Sequence, residues 1–241
     1  MNGSSSLVAK AAKMASDKGI LVVNSMGNDG DDFWSVMDTP ADVPEVLSVG
    51  AIDPYTLRPF SFSSLGPNAN GVIKPELSAP GHAMVAGKYK IKDGFGTSFS
   101  CPLVAGFAAC VLQLDPFLTE KKLKQKLIQS ASLYPYYDYD DGYGIPQASF
   151  FTDSSSRIHK KTFSIDSISA SKIFVSIKKV NFATQDSDYF YYHFRSMENR
   201  ILEYFIITTD TNHLQINIEN LVRPFIFMAH YKYYTKELIV K

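Results

Sequence analysis

The chain has 241 residues, 45% apolar and 20% charged, with 24 Lys+Arg balanced by 24 Asp+Glu. That is the composition of a globular protein and excludes a disordered one. Charge is split only mildly, 12 Lys+Arg against 16 Asp+Glu in residues 1–155 and 12 against 8 in residues 156–241, and no basic patch interleaved with aromatics marks a nucleic-acid binder.

From the N-terminus, residues 6–18 have helical periodicity and Gly19 is a natural stop. They lack the basic start and apolar block of a signal peptide. Ile20–Val23 reads as a buried strand, running into the small, polar loop Asn24-Ser25-Met26-Gly27-Asn28-Asp29-Gly30. Helix, strand and polar loop is the layout of an open α/β sheet, whose ligands bind beyond the carboxyl ends of the strands. Asp29, Asp31 and Asp32 could hold a cation such as calcium, but their spacing has no clear ligand pattern and a solvated loop is the preferred reading. Val46–Ala51 is the next strand, Phe60–Pro67 a short alternating one, and Lys74–Gly81 an extended, proline-bounded stretch.

Gly96-Thr97-Ser98-Phe99-Ser100-Cys101-Pro102-Leu103-Val104-Ala105-Gly106 is a small-residue turn opening into a helix, with Thr97 or Ser98 as the N-cap. From Val104 to Leu114 nearly every residue is apolar or small, which predicts a helix buried on all sides. The run Leu103–Leu114 is too short and too rich in small residues for a bilayer span. Cys101 and Cys110 lie nine residues apart on this helix, roughly 13 Å, too far for a disulfide; both are expected to be buried, and they leave the redox compartment open. A serine hydroxyl at a helix N-terminus is placed for nucleophilic work, because free N–H groups there favour developing negative charge.

Asp115-Pro116 breaks the chain, Leu118–Ser132 has the period of an amphipathic helix, and Tyr134–Asp141 is a Tyr/Asp-rich loop. Thr152–Ser156 reads as a linker. Beyond it the runs Thr162–Ile165, Lys172–Ile177, Tyr189–Phe194, Leu202–Thr208, Leu214–Ile218 and Phe225–Tyr234 predict about six antiparallel strands of a small sandwich.

The Gly96–Gly106 string resembles the nucleophile motif of the subtilisin-like serine proteases, the subtilases, Gly-Thr-Ser-x-(Ala/Ser)-x-Pro-x-Val-Ala-Gly. The resemblance extends over roughly residues 6–150 and is tightest at Val22–Gly30, Pro40–Asp53, Ser61–Gly81 and Gly96–Gly106. It implies an α/β fold: a partial subtilisin-like, three-layer, parallel-sheet domain over residues 1–151, followed by a small all-β, sandwich-like domain over 157–241. It also implies that Ser98 is the nucleophile, that Asn28 supplies the side-chain donor of the oxyanion hole, and that Ser25, Met26 and Gly27 form one wall of the primary specificity pocket for a polypeptide substrate. By family analogy the compartment is extracellular or the cell envelope.

Ser-His-Asp hydrolysis needs an imidazole to take the serine proton and a carboxylate to orient it. In subtilases both precede the oxyanion asparagine, yet the residues before Asn28 contain only Asp17 and no histidine. His82 follows Pro80-Gly81 out of order, His159, His193, His213 and His230 lie in the β-rich tail, and Asp38-Thr39 matches the family's Asp-Thr-Gly only in part. The expectation is therefore the C-terminal part of a serine endopeptidase acting through a Ser98 acyl-enzyme, with an upstream segment, in the same chain or in trans, supplying Asp and His. The competing expectation is a truncated, non-catalytic remnant or pseudoenzyme that acts at most as a peptide-binding or interaction module.

Overall fold

The computed structural model describes residues 1–152, 163–177, 189–197, 201–208, 213–231 and 234–241. The chain divides into two compact units, Met1–Thr152 and Asp153–Lys241. Residues 153–156 of the expected linker, and His159, lie outside the described residues.

In the first unit a parallel sheet of order β1-β2-β3 is built from β1 (Val23–Ser25), β2 (Leu47–Ile52) and β3 (Leu77–Pro80). Every residue of β2 is buried, as befits a parallel strand covered on both faces. Helix α1 (Leu7–Asp17) covers one face: Ser6 caps it by accepting the Ala9 N–H, and Ala9 and Ala12 pack on Val22, Val43 and Val46. Gly19 follows the helix with a φ of 83°. Helices α2 (Thr97–Leu114) and α3 (Glu120–Gln129) cover the other face, where Val104, Ala108, Val111, Leu123 and Leu127 meet Leu47, Val49, Leu77 and Ala79. The result is three layers, α/β/α.

One carboxylate ties β2, β3 and α3 together. Glu76 accepts from the Ser48 N–H at 2.8 Å, from Lys74 at 2.9 Å and from Lys124 at 2.7 Å. The fully buried Lys74 also donates to Val46 O and Ser48 Oγ, so each of its protons has an acceptor. Burial alone would raise the Glu76 carboxyl, but Lys74 and Lys124 hold it below its ordinary value.

Several expectations need correction. The first strand begins at Val23 and not at Ile20. Phe60–Pro67 makes turns and isolated bridges, not a strand, while β4 (His82–Ala86) and β5 (Ile91–Phe95) form an antiparallel hairpin in what reads as loop. The largest correction concerns α2. Only Thr97, Ser100, Val104, Ala108 and Val111 are buried, whereas Leu103 and Leu114 are 53% and 62% exposed. Cys110 is exposed and Cys101 half-buried, because the sheet grips this helix along a single stripe and leaves the opposite side open. The helix starts at Thr97, with 18 residues and a mean hydropathy of 1.6, so by length and composition alone it would pass for a membrane span. A short α4 (Ser149–Thr152) ends the unit, with Phe151 against Phe107.

The second unit has two antiparallel sheets. One has the order β10-β7-β6, from β6 (Phe163–Ile168), β7 (Lys172–Ile177) and β10 (His213–Asn217). The other is β12-β11-β8-β9, from β8 (Tyr189–Arg195), β9 (Ile201–Thr208), β11 (Phe225–Tyr231) and β12 (Tyr234–Val240). Phe163, Ile173, Val175 and Ile216 of the first meet Phe194, Phe225, Phe227 and Val240 of the second in one core, which is a sandwich. The run ending at Tyr234 is in fact the first arm of a hairpin, and β12 is a strand that the sequence reading misses.

Candidate active site

The polar loop after β1 and the first turn of α2 meet at the carboxyl end of the sheet. Asn28 Oδ1 accepts the Thr97 backbone N–H at 2.9 Å and lies 3.0 Å from the Thr97 hydroxyl. That hydroxyl also contacts the Gly27 carbonyl at 3.2 Å and accepts the Gly27 N–H at 3.3 Å. Thr97 is therefore not the expected helix cap. Gly96 holds the cap position with no side-chain bond, and Thr97, fully buried, clamps the loop.

With its oxygen engaged, the exposed Asn28 carboxamide presents its Nδ2 as a donor. The Ser98 backbone N–H, in the first turn of α2, has no acceptor within the helix. The Asn28 carboxamide and the Ser98 N–H both border Gly96: a Cβ added there would lie 3.6 Å from Asn28 Oδ1, 3.7 Å from Asn28 Nδ2 and 3.8 Å from Ser98 N. The absence of that Cβ leaves a notch bordered by the Asn28 carboxamide and the Ser98 N–H, and the φ of 154° at Gly96 is itself unfavourable for a side chain. Ser98 is exposed beside it. A notch of this kind can hold the oxygen of a polarised carbonyl while a hydroxyl stands at its edge.

The other predicted wall residues are placed as follows. Ser25 ends β1, half-buried, and its carbonyl accepts from the Asn24 side chain. The Met26 side chain is fully buried with Met37 and Ala41, and both its main-chain groups are used, N–H to Val49 O and carbonyl to Asp38 N–H. Met26 thus contributes backbone shape alone. Gly27 has a φ of 113°, and a Cβ there would stand 2.7 Å from Ser64 Oγ and 3.0 Å from Asp38 Oδ2. Asp31 and Asp32 are exposed, and among the described residues no three His, Cys, Asp or Glu side chains gather to hold a metal ion.

No described histidine bonds to Ser98. His82 Nε2 lies 2.7 Å from Asp93 Oδ1 and the ring stacks on Phe95 at 4.7 Å. Strand alternation puts Asp93 and Phe95 on one face of the hairpin and Gly94 on the other, against Phe99 of α2. His82 accordingly occupies the face turned away from the first turn of α2. His193 is buried in β8, and His213 contacts Ser176 at 3.0 Å on the sandwich. Thr97 and Asp38 are the site neighbours whose roles the sequence reading misses; the only signals were Thr97's place in the motif and Asp38's partial match to a family motif.

The chain matches the family model of the subtilase family over residues 1–150. Among solved structures it is similar to the self-cleaved protease domain of PatA, at 28% identity and a TM-score of 0.50, over 62% of this chain and 56% of that one. It is similar to the S41 psychrophilic protease at 26% identity and a TM-score of 0.52, over 61% and 54%. Sphericase, at 23% identity and a TM-score of 0.51 over 61% and 55%, shares the fold. The chain thus spans little more than half the length of these structures.

Proposed function

The chain belongs to the subtilase family, and on that premise we propose that its first unit is the nucleophile-bearing part of a serine endopeptidase. Ser98 Oγ attacks the carbonyl carbon of a polypeptide substrate, and its proton passes to a base. The carbonyl oxygen gains the negative charge and takes hydrogen bonds from Asn28 Nδ2 and the Ser98 N–H. Collapse breaks the C–N bond, the amine leaves with the proton, and the Ser98 ester is then hydrolysed by water. Ser25, Met26 and Gly27 shape one wall of the pocket beside this point. The observation that carries the reading is that the Asn28 carboxamide, its oxygen held by Thr97, and the Ser98 N–H both border the Gly96 notch.

The base and its orienting carboxylate come, in this reading, from an upstream segment. Two surfaces support it. Among the described residues β1 is an end strand, with β2 as its partner, and α2 exposes Leu103, Cys110 and Leu114. A segment that adds a strand to β1 and lays apolar side chains on α2 would cover both. The sandwich of the second unit is an accessory module, and the compartment is extracellular or the cell envelope.

Labelling with a fluorophosphonate probe tests this. A segment carrying Asp-x-Gly and His-Gly-Thr motifs, fused upstream or added in trans, is expected to confer labelling that Ser98→Ala abolishes. Labelling that stays absent after such completion, in folded protein, would favour the second reading, a non-catalytic remnant. That reading is motivated by the lack of any described histidine bonded to Ser98.

A further inference from the structure

We infer that Asp38, helped by Asp29, selects a basic side chain, lysine or arginine, at the substrate residue whose carbonyl is attacked. The inference rests on the cleft reading above and deepens it.

Asp38 is laid alongside the pocket wall by its own backbone, since its N–H donates to the Met26 carbonyl at 3.0 Å. Its carboxylate closes on Gly27: Oδ2 would stand 3.0 Å from a Cβ at that residue. Only a glycine admits so close an approach, and the φ of 113° reinforces the choice. Asp29 follows Asn28 directly, its N–H fixed by Ser64 Oγ at 3.0 Å. The two acids interact: burial and then the charge of Asp29 push the Asp38 carboxyl above its ordinary value.

Both acids lie beside the Gly27–Asn28 step, Asp38 exposed and Asp29 half-buried, and among the described residues neither forms an ion pair with a Lys, Arg or His. Asn28 is also the donor that fixes the substrate carbonyl, so the side chain on that carbonyl's own Cα begins within a residue of Gly27. A long, extended cationic chain then runs along the wall to Asp38, whereas an acidic one meets two like charges. Asp38 is exposed to solvent, so the preference it supplies is moderate and sensitive to salt.

The test is a titration of the whole chain with acetyl-Ala-Ala-Lys and acetyl-Ala-Ala-norleucine, followed through backbone amide shifts. The two peptides differ by the ammonium group alone. The lysine peptide is expected to bind about two- to fivefold tighter at low ionic strength. That preference should fall by at least half in Asp38→Asn and shrink in high salt, while Gly96→Val, which crowds Asn28, weakens both peptides alike. Equal affinities for the two peptides, both weakened by Gly96→Val, would overturn the role of Asp38 and leave the cleft standing. Shifts absent from Gly27, Asn28 and Ser98 with either peptide would overturn the cleft reading and this inference with it.

Discussion

Thr97 holds Asn28 twice on the same oxygen, through its backbone N–H at 2.9 Å and its hydroxyl at 3.0 Å. The backbone bond survives any substitution that keeps the helix; the hydroxyl bond does not. Thr97→Val keeps the shape and removes only the second contact. The Asn28 side-chain amide protons are expected to exchange faster in the variant, measured by NMR. In the completed enzyme Asn28→Leu should slow acylation about 10²–10³-fold, as loss of one such donor does in subtilisin, and Thr97→Val by less.

The Lys74–Glu76–Lys124 group should dominate the stability of the first unit. Glu76→Gln leaves Lys74 charged and buried, and is expected to cost about 3–5 kcal/mol in urea unfolding. Glu76 has a depressed carboxyl in the fold, so its contribution is present above the unfolded value of 4.5 and is lost as pH falls through the lower, folded value. The wild-type urea midpoint should therefore drop on acidification more steeply than that of the variant.

Asp141 has the opposite sign. Burial, then the charges of Asp138 and Asp140, raise its carboxyl well above 3.8. Its favourable contribution is complete below 3.8 and fades as pH rises through the folded value. Asp141→Asn should raise the melting temperature at neutral pH by about 2–4 °C for each kcal/mol regained, and lose that advantage in acid. A variant that melts lower than wild type at neutral pH would refute the assignment.

The two thiols report on the open side of α2. Cys110 is exposed and should react quickly with a maleimide, whereas Cys101 is half-buried, with burial pushing its thiol up, and should react slowly. Binding of a completing segment should protect Cys110. A fast thiol that stays fast in the completed protein would mean that the segment seats elsewhere.

Much of this architecture is legible in the residues. Ser6 and Gly19 bracket α1, the small and apolar residues of β2, with no charge among them, identify a strand covered on both faces, and the motif around Ser98 locates the start of α2 to within a residue. The hairpin β4–β5 is not legible, because most of its residues are exposed and no alternation of apolar and polar side chains marks it. Strand β12 is hidden because no glycine, proline or asparagine marks the turn from β11, and Thr235-Lys236-Glu237 interrupts any apolar pattern in its first half. The open side of α2 could not be foreseen, since an all-apolar helix reads as wholly enclosed whatever its neighbours turn out to be. Asp38 escapes for a further reason: ten positions separate it from Asn28 in sequence, and the fold brings the two together through the backbone bond from Asp38 to Met26 and the close approach to Gly27.

The one-sided grip on α2 leaves an apolar seam facing water. Val104, Ala108 and Val111 pack against the sheet, while Leu103 and Leu114 stay 53% and 62% exposed. Covering that seam removes apolar surface from water and adds stability to the helix. Ser98 sits on the same helix, so the firmness of the serine's own support depends on what lies along the far side of α2.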